Sequence, residues 1–195
     1  MKASHRRRAI LVSAAPIFNR RGFAGTSIAD ILKATDLEKG GLYNHFASKE
    51  ELGIEAFEYA FGEVQSYFAA ALAEVESGYA RLLAFVDAFE RYSERPVVDG
   101  GCPLANAALE ADDALPFLRE RVQSAFGTLR DTIARNVKRA VQKGELAATT
   151  DAEALTDLVI SALEGALLLA RGMRSRAHVT RVAQSLRAIL AGMRA

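Results

Sequence analysis

The chain has 195 residues, 50% hydrophobic and 25% charged, which suits one large domain or a small domain joined to a larger one with a packed core. Its single cysteine, Cys102, excludes an intramolecular disulfide and any multi-cysteine metal cluster, and fits a reducing cytoplasm. No charge-free run approaches the roughly 18 residues a membrane span needs, so no membrane partner is expected.

A net charge of +1 conceals an asymmetry. Residues 1–50 hold nine Lys and Arg against four Asp and Glu, a net of +5, and the remainder holds 16 against 20, a net of −4. A basic end on an acidic body fits a chain that turns that end towards a polyanion. With only four prolines and abundant Ala, Leu, Glu and Arg, the fold expected is all-α.

From the N-terminus, Ile10, Leu11, Ala14, Ile17 and Phe18 make one apolar stripe, which predicts a helix over 6–21. Arg20 and Arg21 suit its C-terminal dipole, and Gly22 suits a left-handed cap. Arg6, Arg7 and Arg8 read either as an arm for phosphates or the minor groove or as a frayed basic end. Ser27-x-x-Asp30 has the form of a capping box opening a helix over 28–35. Asp36 falls at a turn that can take left-handed geometry, and Leu37 plugs the angle that follows. A short helix over 39–46 buries Leu42 and Phe46 and presents Lys39, Gly40, Gly41, Tyr43 and Asn44. Paired glycines are poor helix formers, about 1 kcal/mol each against alanine. Their benefit is a surface that a nucleic-acid backbone or base edge can approach closely. Ser48-x-x-Glu51 reads as a second capping box, with Lys49 in the first turn of the next helix. Two short helices about a tight turn, then a capped third, form a helix-turn-helix.

The pattern Gly22-Phe23-x-x-Thr26-Ser27-Ile28-x-x-Ile31, followed by Lys39-Gly40-x-Leu42-Tyr43-x-His45-Phe46-x-Ser48-Lys49-Glu50, resembles the DNA-binding signature of the TetR family of bacterial transcriptional regulators. The resemblance implies that Lys39, Gly40, Gly41 and Asn44 enter the major groove, and that Tyr43, His45, Lys49 and Thr26 or Ser27 hold phosphates. The side chains suit these roles: Lys39 reaches guanine acceptors and Asn44 pairs with adenine. His45 reads equally as an interhelical hydrogen-bond partner. The chain departs from the family pattern at Asp36-Leu37-Glu38, where Gly-Val-Ser is usual. Glu38 either accepts from cytosine or points to solvent.

Residues 1–48 are thus expected to form the DNA-binding domain and 49–195 a larger helical domain for ligand binding and dimerisation. A long helix over 49–76 links the two. A helix over 79–91 carries Phe85 and Phe89, and the turn-rich stretch 95–101 precedes Pro103, which fits a first helical position with Cys102 near the N-cap. A thiol so placed can have raised reactivity, or can pack as a small hydrophobe. The Gly101-Cys102-x-Leu104 stretch with Glu110 resembles a segment in a subset of TetR regulators, some of which sense electrophiles through that cysteine. A helix over 115–143 adds Phe117 and Phe126. Taken singly these aromatics read as core packing; the resemblance implies that Phe85, Phe89, Cys102, Asn106, Phe117, Phe126 and Leu163 together line a pocket for a small, mostly apolar effector. Helices over 151–171 and 179–193 complete the chain. The first is apolar over more than one stripe, too wide for one-sided packing. The resemblance implies a four-helix homodimer interface, assigned to Leu155, Leu158, Ala162, Gly165, Leu169, Leu186, Ile189 and Leu190.

The expected function is a cytoplasmic, homodimeric, ligand-responsive regulator, a repressor that leaves a pseudo-palindromic double-stranded operator when an effector binds. A thiol-based electrophile sensor acting through Cys102 is the alternative within the same class. An enzyme is the competing class and fares poorly: His5, His45 and His178 lie in segments away from Cys102, and Asp112-Asp113 are consecutive helical positions that share no face. No metal-ligand spacing or phosphate loop is present, so neither a cofactor nor a metal is expected.

Overall fold

A computed structural model of the chain describes residues 2–111 and 115–195. Asp112-Asp113 lie outside the described residues. Among these residues there are nine helices and no strand: α1 Lys2–Arg21, α2 Ile28–Thr35, α3 Lys39–Tyr43, α4 Lys49–Leu72, α5 Gly78–Glu94, α6 Pro103–Ala111, α7 Pro116–Gln142, α8 Ala152–Gly172 and α9 Ala177–Gly192. The architecture is all-α as the apolar periodicity requires, and α2 has the expected bounds. By packing the chain divides into two compact units, residues 1–65 with 96–125 and residues 66–95 with 126–195. The first unit therefore holds more than residues 1–48, since the start of α4, all of α6 and the start of α7 pack with the N-terminal helices.

In the first unit the predicted stripe of α1 is buried: Ile10, Ala14 and Ile17 join Ile31 of α2, Leu42 of α3, Phe46 and Leu52 of α4. Leu37 packs on this cluster from the turn, as the plug expected of it. Each such side chain removed from water contributes about 1.5–3 kcal/mol. Gly22 ends α1 at φ +73°, and Asp36 ends α2 at φ 51°, both left-handed. Gly22 is also needed for space, because a Cβ there would lie 1.8 Å from Oε1 of Glu110.

Several helix ends differ from expectation, and three of them have a local reason. α1 begins at Lys2 rather than Arg6 and carries Arg7 into contact with α4. α3 stops at Tyr43, because His45 N–H bonds to Leu42 O at 2.9 Å, a tighter turn that still buries Phe46. α4 stops at Leu72, where Arg81 takes over the last carbonyl, donating to Leu72 O at 3.1 Å, and holds the turn that follows by donating to Val75 O at 2.6 Å.

The second unit is built on rings and aliphatic side chains. Phe68 stacks on Phe85 at 4.7 Å, with Phe89 and Tyr92 beside it. Gly78 lets α5 start against α7, where a Cβ would fall 2.6 Å from Ala140 N and Asn136 O. Ser77 caps α5 by accepting from Ala80 N–H at 3.0 Å. Arg187 of α9 donates to Asp87 and Glu90 of α5, at 2.8 and 2.6 Å from Nε and Nη2 to Asp87 and 2.6 Å to Glu90. No described helix is long and apolar enough to cross a membrane.

Candidate DNA-binding interface

The exposed side of the helix-turn-helix carries Lys39, Gly40, Tyr43 and Asn44, with Gly41 half-buried. Tyr43 is 40% exposed, unusual for a ring in a domain with room to bury it. The glycine pair is informative because nothing inside the protein requires it. A Cβ on Gly40 would meet nothing within 4 Å, and one on Gly41 would meet only Leu37 Cδ2 at 3.6 Å, an ordinary contact. Neither glycine has a positive φ. The helix thus carries two weak formers with no internal return. Glu38 stands at the N-cap position without a side-chain capping hydrogen bond, and is exposed.

The supporting helix is capped as expected. Ser27 Oγ accepts from Asp30 N–H at 3.1 Å, and Asp30 accepts from Ser27 N–H at 2.9 Å and Ser27 O–H at 2.6 Å. Arg21 adds a 2.8 Å bond to the same carboxylate. The Ser27 bonds, with Arg21 behind them, lower the Asp30 pKa to about 2. Its folded-state value is depressed, so the cap is fully present above about pH 4 and lost as pH falls towards about 2. An NMR titration of the Asp30 carboxyl carbon should show that midpoint in wild type. Ser27→Ala should raise it and cost about 1 kcal/mol in urea unfolding.

The other expected phosphate contacts are differently placed. Thr26 is buried, and its hydroxyl donates to Gly22 O at 2.7 Å, so it closes the α1–α2 connection. Ser27 is exposed but committed to the cap. Lys49 Nζ donates to Phe23 O at 2.7 Å and lies 4.2 Å from the Phe23 ring centroid, leaving other N–H groups for a phosphate. His45 is half-buried, and its backbone carbonyl accepts from Arg7.

Arg7 is the residue that sequence reasoning placed least well. It is neither a free arm nor a frayed end: its guanidinium donates to Glu55 at 2.9 Å, to Glu51 at 2.6 Å and to His45 O, and lies 4.3 Å from the Phe46 ring centroid. One side chain thereby pins α1 to the segment just past α3 and to the first turns of α4. Arg7 also redirects the second capping box. Ser48 Oγ does accept from Glu51 N–H at 3.1 Å, but the Glu51 carboxylate accepts from Ala47 N–H at 2.6 Å and from Arg7. The Ala47 bond first, and Arg7 next, hold the Glu51 carboxyl below the usual range.

The expected pocket residues fall in both units. Cys102, Asn106 and Phe117 belong to the first, and Phe85, Phe89, Phe126 and Leu163 to the second. Cys102 forms no disulfide and is 6% exposed, beside the start of α6. Asn106 is held by its side-chain N–H groups on Asn19 Oδ1 at 2.8 Å, Gly100 O at 2.9 Å and Asn19 O at 3.0 Å. A small cavity lies within the first unit between α1, α4 and α6, and of the seven expected residues only Asn106 lines it. Glu110, also at its wall, accepts from Phe23 N–H at 2.8 Å and Ala24 N–H at 3.3 Å. Neither bracket had a local sequence signal, since each spans more than 80 residues of chain. The expected interface residues also divide: Leu158, Leu169 and Ile189 are exposed, whereas Leu155, Leu186 and Leu190 are buried within the protomer.

Comparison with known proteins adds three findings to this geometry. The family model for tetR-family bacterial regulatory proteins matches residues 10–56, and the model for the tetracyclin repressor-like C-terminal domain matches residues 78–186. A TetR transcriptional regulator from Chloroflexus aurantiacus J-10-FL superposes with a TM-score of 0.93 at 40% identity, covering 97% of this chain and 96% of that one. An uncharacterised HTH-type transcriptional regulator of Mycobacterium tuberculosis is 31% identical over 94% of this chain and 93% of its own length, and the HTH-type transcriptional repressor DhaR of a Mycobacterium species is 26% identical over 82% and 79%.

Proposed function

The chain belongs to the TetR family of bacterial transcriptional regulators, and on that premise we propose that it is a homodimeric repressor released from a pseudo-palindromic operator by a small, mostly apolar effector. It acts on DNA, in the cytoplasm, and we assign it no catalytic role. Residues 1–48 read the operator, and residues 49–195 bind the effector and the second protomer. On the reading helix Lys39, Gly40, Gly41 and Asn44 face base edges, and Tyr43, Ser27 and Lys49 hold phosphates, with His45 beside them. Thr26, buried and locally bonded, supports the reading helix from inside. Cys102 is read as a packed thiol, because its burial limits attack by an electrophile.

The observation that carries this reading is the glycine pair without an internal reason. Gly40→Ala should therefore separate stability from function. In urea unfolding the variant should match or exceed wild type, by up to about 1 kcal/mol. In a mobility-shift assay on the intergenic DNA beside its own gene, it should bind at least about tenfold more weakly, as a methyl group enters the space of a base edge. Lys39→Ala should change which operator is preferred, while Tyr43→Phe should weaken binding to all operators alike. Wild-type binding there must also weaken steeply with salt. Equal operator affinity of Gly40→Ala and wild type would remove the reading of this face as the DNA contact.

A further inference from the structure

Within the second unit, α4, α5 and α7 wall an open groove of about 720 Å³, a size ordinary for a small-molecule site. Its lining holds four cations and no carboxylate: Arg81 from the first turn of α5, and Arg135, Lys138 and Arg139 from α7. Ala69 and Leu72 of α4 give it an apolar side. The same bias is written in the sequence. Residues 130–143 hold five Lys and Arg against one acid, Asp131, while the other residues of 51–195 hold 11 against 19. Solubility alone is served by interspersing both signs, not by gathering the cations of an acidic body on one helix.

These cations are only partly matched from within. Glu153 of α8 takes Lys138 at 2.9 Å and, with Asp157, takes Arg130 on the same helix. Among the described residues no carboxylate pairs with Arg81, Arg135 or Arg139. Arg81 is held by its donation to Leu72 O and Val75 O, so its guanidinium is fixed before any ligand arrives and has further N–H groups to give. Arg135 and Arg139 lie one helical turn apart, where like charges destabilise a helix. As with the glycine pair, a cost with no return inside the protein points to a contact outside it.

We propose that this groove binds a small organic diphosphate, the group that a nucleoside diphosphate carries. The guanidinium forks of Arg135 and Arg139 take the phosphates in paired N–H···O bonds, Arg81 adds a fixed third fork, and the organic part rests on Ala69 and Leu72. Three guanidinium groups around one hollow call for several negative charges in a compact group, which a diphosphate supplies and a single carboxylate does not. A nucleic-acid backbone carries the same phosphates but strings them along a line, whereas here two helices bring their cations to one concave space. The site lies in the unit that does not contain the reading helix, and the inference is independent of the proposed operator.

Calorimetric titration of the full-length protein with ADP, in buffer containing EDTA, tests the site, with AMP and adenosine run in parallel. ADP should bind saturably, about tenfold or more tighter than AMP, and adenosine should not bind. Arg135→Gln with Arg139→Gln should weaken ADP by about tenfold or more. Ala69→Glu should do the same, since it sets a carboxylate on the groove wall at an exposed helical position. Arg91→Gln with Arg95→Gln removes the same charge at the other end of α5, outside the groove, and should leave ADP affinity as in wild type. Circular dichroism shows whether each variant folds; if the double arginine variant does not, Ala69→Glu carries the comparison. No saturable binding of ADP, equal affinity for AMP, unaltered affinity in either groove variant, or an equal loss in the Arg91 and Arg95 variant would each overturn the proposal. A non-operator duplex that binds wild type and is lost in Arg135→Gln with Arg139→Gln, while ADP does not bind, would make the groove a nucleic-acid surface instead.

Discussion

Arg7→Ala should lower the unfolding free energy by about 2 kcal/mol and abolish operator binding at concentrations where wild type saturates. A charge-assisted hydrogen bond is worth about 1.5–3 kcal/mol, and Arg7 makes several, but they are not additive, and the side chain is one-third exposed to screening solvent. Function should suffer more than stability, because the same guanidinium holds His45 O, just past α3, the helix proposed to read the operator. Removing it also leaves Glu51 and Glu55 as like charges one helical turn apart. Arg7→Lys should recover less than half, since an ammonium cannot present the planar fork these partners occupy. The pH dependence has a definite sign. The Glu51 folded-state pKa is depressed, partly by Arg7, so that contribution is present above the ordinary carboxylate pKa and lost as pH falls through the lower folded value. The gap between wild type and Arg7→Ala should therefore narrow below about pH 4.5. Parallel urea curves at neutral pH and in that acid range decide the point; coincident curves at neutral pH would discard the clamp.

Arg7 also marks where the sequence was and was not legible. Local order was legible, because its causes lie within a few residues: the period of Ile10, Ala14 and Ile17, the Ser27–Asp30 cap, and the left-handed turn at Asp36. Where a partner lies far along the chain, residue type admits too many answers. An arginine near a basic terminus suits DNA as well as it suits two glutamates on α4, and nothing near Arg7 announces Glu51 or Glu55. The bonds from Glu110 to Phe23 and from Asn106 to Asn19 are the same case, with more than 80 residues between partners. Ser48 shows an intermediate one, where the cap was legible but the reciprocal bond went elsewhere, because Arg7 and Ala47 compete for the Glu51 carboxylate. The candidate site itself was legible in its exposed half. Lys39, Gly40, Tyr43 and Asn44 are polar, small or aromatic residues on the face opposite Leu42, and amphipathicity alone assigns them outward. Thr26 was not, because a hydroxyl next to a cap position serves either side of a surface equally well.

The same test of a residue against its own protomer applies to the proposed dimer face, where a second large loss of function is expected. Leu158, Ala162, Gly165 and Leu169 follow one another at four-, three- and four-residue steps, which places them on one side of α8. Leu158 is 44% and Leu169 51% exposed, Ile189 of α9 is 42% exposed, and a Cβ on Gly165 would meet nothing within 4 Å. That is an apolar stripe with a close-approach point and no partner within the described residues of its own chain. Leu155, Leu186 and Leu190, assigned to the same face from sequence, are instead consumed in packing within the second unit, where each is at most 3% exposed. The two groups should respond to mutation in opposite ways. Leu158→Glu with Leu169→Glu removes no internal contact of consequence and places like charges across a two-fold axis. Sedimentation should show a monomer whose thermal midpoint no longer depends on concentration. Operator affinity should fall by about 100-fold or more, since two half-sites are no longer held together. Leu190→Ala should do the reverse, costing about 2–5 kcal/mol in unfolding as a core cavity opens, with the dimer retained wherever the chain still folds. A double variant that sediments as a dimer would assign the interface to another face and leave the exposed stripe of α8 to some other partner.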